Sequence, residues 1–303
     1  MSLIEKAAEH LKGLIQEQKS VAPRAPEEVV APPAIRFTES ETIQPGSIGV
    51  ESLSPVSSSS PLVEIDLRKL AAAGFVLPEQ PGSTIAEEFR VIKRPLLANV
   101  RIPSSVRDSN LIMVTSALPG EGKSFTALNL AMSIAMELER TVLLVDADVA
   151  RPSLPKLLGL TPQKGLLDVL QDRSLQLNDV LLRTNVEKLN LLMAGTSQPN
   201  ATELLASDAM TSLLEEMANR YSDRIIVFDS PPLLMTTEAR VLATHMGQIV
   251  FVVQAEESLQ RAVKDALATI AACPVKFLVL NQARNPDPVA YGYGYGYGYG
   301  YGR

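Results

Sequence analysis

The chain has 303 residues, 46% of them hydrophobic, a formal net charge of −6 and a single cysteine, Cys273. That length allows one large domain, or one domain with appendages. The acidic balance leaves no basic field for holding nucleic acid, and one cysteine excludes an intramolecular disulfide and any cysteine-built metal or iron–sulfur site. No run approaches the roughly 18 apolar residues of a membrane span, and no signal-peptide pattern opens the chain. A cytoplasmic protein is expected, one that meets the membrane only through a partner.

Residues 1–20 form the first element. Leu3, Ile4, Ala7, Leu11, Leu14 and Ile15 recur at helical spacing, with charges of both signs on the opposite face. The pattern fits a short docking helix for another protein or a frayed, solvated leader, and the mixed signs argue against an anionic lipid surface. Residues 21–61 hold seven prolines and the run Ser57–Ser60, so a disordered linker is expected there. Order is expected to resume at Leu62–Leu70. From Thr84 the segment TIAEEFRVIKRPLLANV reads as an amphipathic helix. Its buried face is Ile85, Phe89, Ile92 and Leu96, and Glu87, Arg90, Lys93 and Arg94 are left for the surface.

From Leu111 onward, short Val/Ile/Leu runs alternate with helical segments. Strands are expected at Leu111–Thr115, Thr141–Asp146, Leu189–Ala194, Ile225–Asp229, Gln248–Val253 and Lys276–Asn281. Near-continuous apolar strands are those of a mainly parallel sheet covered by helices on both faces, an α/β fold that binds ligands beyond its strands' carboxyl ends. Residues 62–284 are expected to form this domain and residues 285–303 a flexible tail.

The first strand runs into Ala117-Leu-Pro-Gly-Glu-Gly-Lys-Ser124 and then a helix from Phe125. Strand, glycine-bearing turn and helix is the context of a phosphate-binding loop. Pro119, Gly120, Glu121 and Gly122 would wrap the phosphates, and Gly120 and Gly122 free the backbone N–H groups to face them. The start of the helix, through Phe125, adds its partial positive charge. Lys123 can reach the β- and γ-phosphates of ATP, and the Ser124 hydroxyl can take one position on Mg²⁺. Ala117 stands where the strict signature has its first glycine.

At the end of the second strand stands Val145-Asp-Ala-Asp-Val-Ala-Arg-Pro152. Asp146 and Asp148, two apart, suit a hydrated Mg²⁺, or one carboxylate on the metal and one accepting a hydroxyl proton. Arg151 can neutralise charge on a transferred phosphoryl group. In Ile225-Ile-Val-Phe-Asp-Ser-Pro-Pro232, four apolar residues end on Asp229, the form of a Walker B strand whose aspartate holds the metal. Tyr291, Tyr293, Tyr295, Tyr297, Tyr299 and Tyr301 alternate with glycine and account for six of the seven tyrosines. Such a segment has nothing to bury. Accessible hydroxyls beside an ATP site are best explained as phosphoacceptors, the other use being a low-complexity tail that self-associates.

These motifs together resemble the bacterial tyrosine autokinases of exopolysaccharide and capsule export, the BY-kinases, and most closely their stand-alone cytosolic members from exosortase-type systems. The resemblance covers Leu62 to the C-terminus. It implies a P-loop domain with Mg-ATP-dependent phosphorylation of its own tyrosine tail, largely between subunits. It also implies Lys123 and Ser124 as phosphate-loop ligands, Asp146 and Asp148 as the second Walker pair, and Asp229 as the Walker B residue. Glu87, Arg90 and Lys93 match a helix motif of ring assembly, Lys93 replacing an arginine, and Asn281 falls where related ATPases contact adenine. A homo-oligomeric ring, a membrane chain-length regulator as activator and a counteracting tyrosine phosphatase are the implied partners. Partitioning-type ATPases share the fold, but carry a lysine where Leu118 stands. A non-enzymatic scaffold would be indifferent to Lys123→Met.

Overall fold

The computed structural model describes residues 60–101, 106–220 and 223–283. The expected docking helix, nearly all of the linker and the tyrosine tail lie outside the described residues. Within them, eight strands form one sheet: β1 (Leu62–Val63), β2 (Leu111–Ser116), β3 (Thr141–Asp146), β4 (Leu182–Thr184), β5 (Leu189–Leu192), β6 (Arg224–Asp229), β7 (Gln248–Gln254) and β8 (Val275–Asn281). Their order is β1-β4-β5-β3-β6-β2-β7-β8, and every neighbouring pair is parallel except β4 with β5. All six expected strands are present, β5 stopping two residues short of Ala194. The additional strands β1 and β4 span two and three residues, too short for a period to show.

Successive residues of the central strands feed opposite cores. Met113, Leu143, Phe228 and Phe251 enter one, and Ile112, Leu144, Val227 and Val250 the other. Burial on both sides is why these strands read as unbroken apolar runs. The second of these cores is closed by α1 (Leu67–Ala72), α2 (Thr84–Arg101), α3 (Lys123–Ala135) and α4 (Leu154–Leu158). The first is closed by α5 (Leu166–Gln171), α6 (Leu177–Val180), α7 (Ala201–Leu205), α8 (Asp208–Arg220), α9 (Thr237–Ala243) and α10 (Gln260–Thr269).

Helix α2 corrects one expectation. Lys93 does not belong to the surface: it is 5% exposed, donates to Ser133 O at 2.6 Å and pairs with Glu137 at 2.7 Å. Ser133 lies in the last turn of α3, so the ammonium offsets the unpaired carbonyls of a helix end. The helix buries Ala86, Phe89, Lys93, Leu96 and Leu97, while Ile85 and Ile92 are only partly covered. Glu87 and Arg90 remain outside as an ion pair one turn apart, and Arg90 also donates to Pro81 O at 3.1 Å.

The topology brings the chemistry together. Strands β3, β6 and β2 are neighbours, and their register places Asp229 beside both Asp146 and Val114. The three motif-bearing carboxyl ends therefore open on one crevice.

Candidate active site

The loop between β2 and α3 needs glycine at two places. Gly120 and Gly122 adopt φ of 89° and 94°, a region that costs an L-residue roughly 1–2 kcal/mol. At Gly122 there is also no room, because a Cβ would lie 1.9 Å from Asn281 Nδ2. Pro119 and Gly120 are exposed at the tip. Helix α3 starts directly at Lys123, so the N–H groups of Lys123, Ser124 and Phe125 have no partners within the helix and are free for phosphate oxygens. The Phe125 ring serves the core instead, 4.9 Å from Phe75 and 6.4 Å from Phe89 between centroids.

Glu121 braces this loop from beneath. Its carboxylate is 3% exposed, accepts from Leu118 N at 2.7 Å and from the Ser258 hydroxyl, and its carbonyl accepts from Asn281 Nδ2 at 3.0 Å. Ser258 in turn accepts from Gln254 N at 3.0 Å, at the end of β7. Asn281 thus sits on the phosphate loop itself, and Glu121 shapes the loop through its side chain.

Lys123 extends to Asp148, Nζ to Oδ2 at 3.2 Å. Asp148 also accepts from Arg151 N at 3.2 Å, while the Arg151 side chain is exposed at the rim. Asp146 and Asp229 are fully buried. Leu154 N donates to Asp146 Oδ2 at 3.2 Å, and the hydroxyls of Ser124 and Ser153 both engage Asp229. Burial, reinforced by the neighbouring Asp229, pushes Asp146 up to about 8. Burial also pushes Asp229 up, to about 6, against the opposing pull of Ser124 and Lys123.

One oxygen of each buried carboxylate, Asp146 Oδ1 and Asp229 Oδ1, has no hydrogen-bond partner. Two orphaned carboxyl oxygens beside a serine hydroxyl are the hard donor set that Mg²⁺ prefers, and the cation's charge would favour their ionised form. Among the described residues no three carboxylate, histidine or cysteine side chains converge as a closed metal cage. A nucleotide-bound Mg²⁺ ordinarily keeps several waters, shares phosphate oxygens and takes one or two carboxylates from the protein. Ser124, Asp146 and Asp229 fit this role directly, whereas Asp148 is already engaged with Lys123.

The structure therefore gathers Lys123, Ser124, Asp146, Asp148, Asp229 and Asn281 around one loop, with Arg151 at its edge. Glu87 and Arg90 lie on α2, and the tail tyrosines fall outside the described residues. Two participants escaped the motif reading. Ser153 bridges Ser124 and Asp229, with only its nearness to the aspartate pair to mark it. Ser258 completes the Glu121 brace from 137 residues away, and no local pattern announces it.

Comparison with known proteins identifies the family. The ParA family, described as NUBPL iron-transfer P-loop NTPase, matches residues 107–270. CapB of Staphylococcus aureus is 31% identical over 217 residues, covering 71% of this chain and 92% of that protein. Tyrosine-protein kinase YwqD of Bacillus subtilis is 33% identical over 199 residues, covering 66% of this chain and 81% of that protein. The kinase domain of the Escherichia coli tyrosine kinase ETK superposes with a TM-score of 0.61 at 28% identity, over 72% of this chain and 84% of that one. The chain belongs to the ParA-type P-loop NTPases and, within them, to the bacterial tyrosine-protein kinases.

Proposed function

We propose that the chain transfers the γ-phosphoryl group of ATP to tyrosines of its own C-terminal cluster, largely between subunits, as a regulator of exopolysaccharide polymerisation or export. The observation that carries this reading is the convergence of Lys123, Ser124, Asp146, Asp148 and Asp229 at the ends of adjacent strands, in a chain that closes with six tyrosines in alternation with glycine. The phosphate loop and the start of α3 hold the triphosphate, and Lys123 leaves Asp148 to meet the β- and γ-phosphates. Ser124, Asp146 and Asp229 would hold Mg²⁺, which when bound would neutralise charge on the phosphate oxygens. The phenolic oxygen of a tail tyrosine bonds to the γ-phosphorus as the bond to the β,γ-bridging oxygen breaks, releasing ADP. Asp148 takes the phenolic proton, and Arg151 at the rim balances charge on the group in transfer.

About 20 residues follow β8, and a random coil of that length would have a root-mean-square span of roughly 25 Å, enough to enter a neighbouring site in a ring. Glu87, exposed, and Arg90, half-buried, are the assembly contacts on α2 in this scheme. Six phosphotyrosines would add roughly −9 to −12 charges, against a chain of net charge −6, and so favour dissociation. A membrane chain-length regulator would recruit and activate the kinase at the inner face of the membrane, and a tyrosine phosphatase would reset it. The test is incubation of the pure protein with Mg-ATP and mass mapping of phosphate. Wild type should label Tyr291–Tyr301, while Lys123→Met and a chain stopped at Val289 should not. Absence of label on the tail, even with an activating partner, would reduce the protein to an ATP-hydrolysing switch.

A further inference from the structure

Ser153 is the N-cap of α4, immediately before Leu154, where a serine side chain ordinarily accepts from the helix's own N–H groups. It forms no such bond. Its hydroxyl is directed into the crevice instead, 2.8 Å from Ser124 Oγ and 3.2 Å from Asp229 Oδ2. The forgone cap is of the order of 1 kcal/mol in other helices, so the orientation has a local cost that the crevice must offset. The next residue belongs to the same arrangement, since Leu154 N donates to Asp146 Oδ2 at 3.2 Å. The start of α4 therefore touches each of the oxygen donors of the cation site.

The oxygens left over, Asp146 Oδ1 and Asp229 Oδ1, are buried without partners.

We infer that Ser153 is a positioning residue for the cation. Its hydroxyl lies within hydrogen-bond distance of Ser124 and Asp229 at once, and so orients these two oxygen donors beside the orphaned carboxyl oxygens before nucleotide and metal bind. The inference rests on the P-loop kinase reading and adds a residue that none of the phosphate-loop or aspartate motifs contains. Ser153 does not belong to the phosphate loop. Its loss should weaken what Mg²⁺ contributes to nucleotide binding and spare binding that occurs without the metal.

The experiment uses the full chain and a fluorescent ADP analogue. Binding is titrated in EDTA, then Mg²⁺ is titrated at fixed nucleotide, for wild type, Ser153→Ala and Ser153→Thr. Removing a group that orients a metal ligand costs about 10- to 100-fold in metal affinity. Ser153→Ala should therefore raise the Mg²⁺ midpoint about tenfold or more, with binding in EDTA within about twofold of wild type. Ser153→Thr keeps the hydroxyl and should restore the midpoint. An unchanged midpoint in Ser153→Ala would overturn the assignment. So would an equal loss of binding with and without Mg²⁺, the mark of a merely structural residue. Failure of the wild type to bind ADP under either condition would instead remove the kinase reading, and this inference with it.

Discussion

Lys123 Nζ and Asp148 Oδ2 lie 3.2 Å apart, in side chains only 13% and 7% exposed. A triphosphate entering the loop must take the ammonium from this carboxylate, and then lies beside the carboxylate's negative charge. Asp148→Asn removes both the competition and the repulsion. It should bind ATP in EDTA at least about fivefold more tightly, roughly 1 kcal/mol, since a nearly buried pair is no weaker than the exposed pairs for which that is the upper scale. Tail phosphorylation should fall by about 100-fold or more, because the proton acceptor is gone. Fluorescence titration and phosphate mapping read the two effects separately, and weaker binding by the variant would contradict the competition.

Gly122 and Gly120 test the loop geometry by contrast. Both have positive φ, but only Gly122 would drive a Cβ into Asn281 Nδ2, whereas nothing lies within 4 Å of a Cβ at Gly120. Gly120→Ala should cost roughly 1–2 kcal/mol of backbone strain. Gly122→Ala should cost more and displace Asn281 from Glu121 O. Adding Asn281→Ala should recover part of the Gly122→Ala loss, a positive coupling readable in a double-mutant cycle of urea unfolding. Simple additivity of the two changes would count against the packed arrangement.

The central strands and the phosphate loop were legible because their signals are local. Apolar runs such as Ile225–Phe228 are buried on both faces, and the glycines of the loop announce the turn they make. Lys93 was misread for a physical reason: a lysine on an amphipathic helix is normally solvated, and only α3 arriving behind α2 supplies the carbonyl and Glu137 that satisfy it. Ser153 and Ser258 were silent because a serine hydroxyl gains its role from partners distant in sequence. The pairing of β1 with β4 was hidden likewise, in strands too short to carry a pattern.

The inward turn of Lys93 separates it from Arg90 experimentally. Lys93→Met removes a charge that is 6% exposed and leaves Glu137, 31% exposed, to be hydrated. The variant should lose about 1–2 kcal/mol of stability through the emptied hydrogen bond to Ser133 O. Its oligomeric state, measured by light scattering, should match wild type. Arg90→Glu places a negative charge beside Glu87 on the outer face and should dissociate the proposed homo-oligomer. Dissociation by Lys93→Met at unchanged stability would return that residue to the interface.

Asp168 provides a pH test on a helix that carries none of the nucleotide-site residues. Partial burial works against its ionisation, but Gly165 N at 2.8 Å and Thr196 N at 3.0 Å both donate to Oδ2, and together they hold the carboxyl below its ordinary value of 3.8. A group whose pKa is lower in the folded than in the unfolded chain stabilises the fold above the unfolded value, and that contribution is lost as pH falls through the folded one. Asp168→Asn should accordingly cost about 1 kcal/mol at pH 7, the figure for a charged hydrogen bond discounted for partial exposure. As pH falls below 3.8 the wild-type carboxyl takes up its proton, and the gap between wild type and variant should narrow. Urea unfolding of both proteins at neutral pH and at about pH 3 checks this. A gap that stays constant between the two would show that the loop from Gly165 to Thr196 is held by shape rather than by the charge on Asp168.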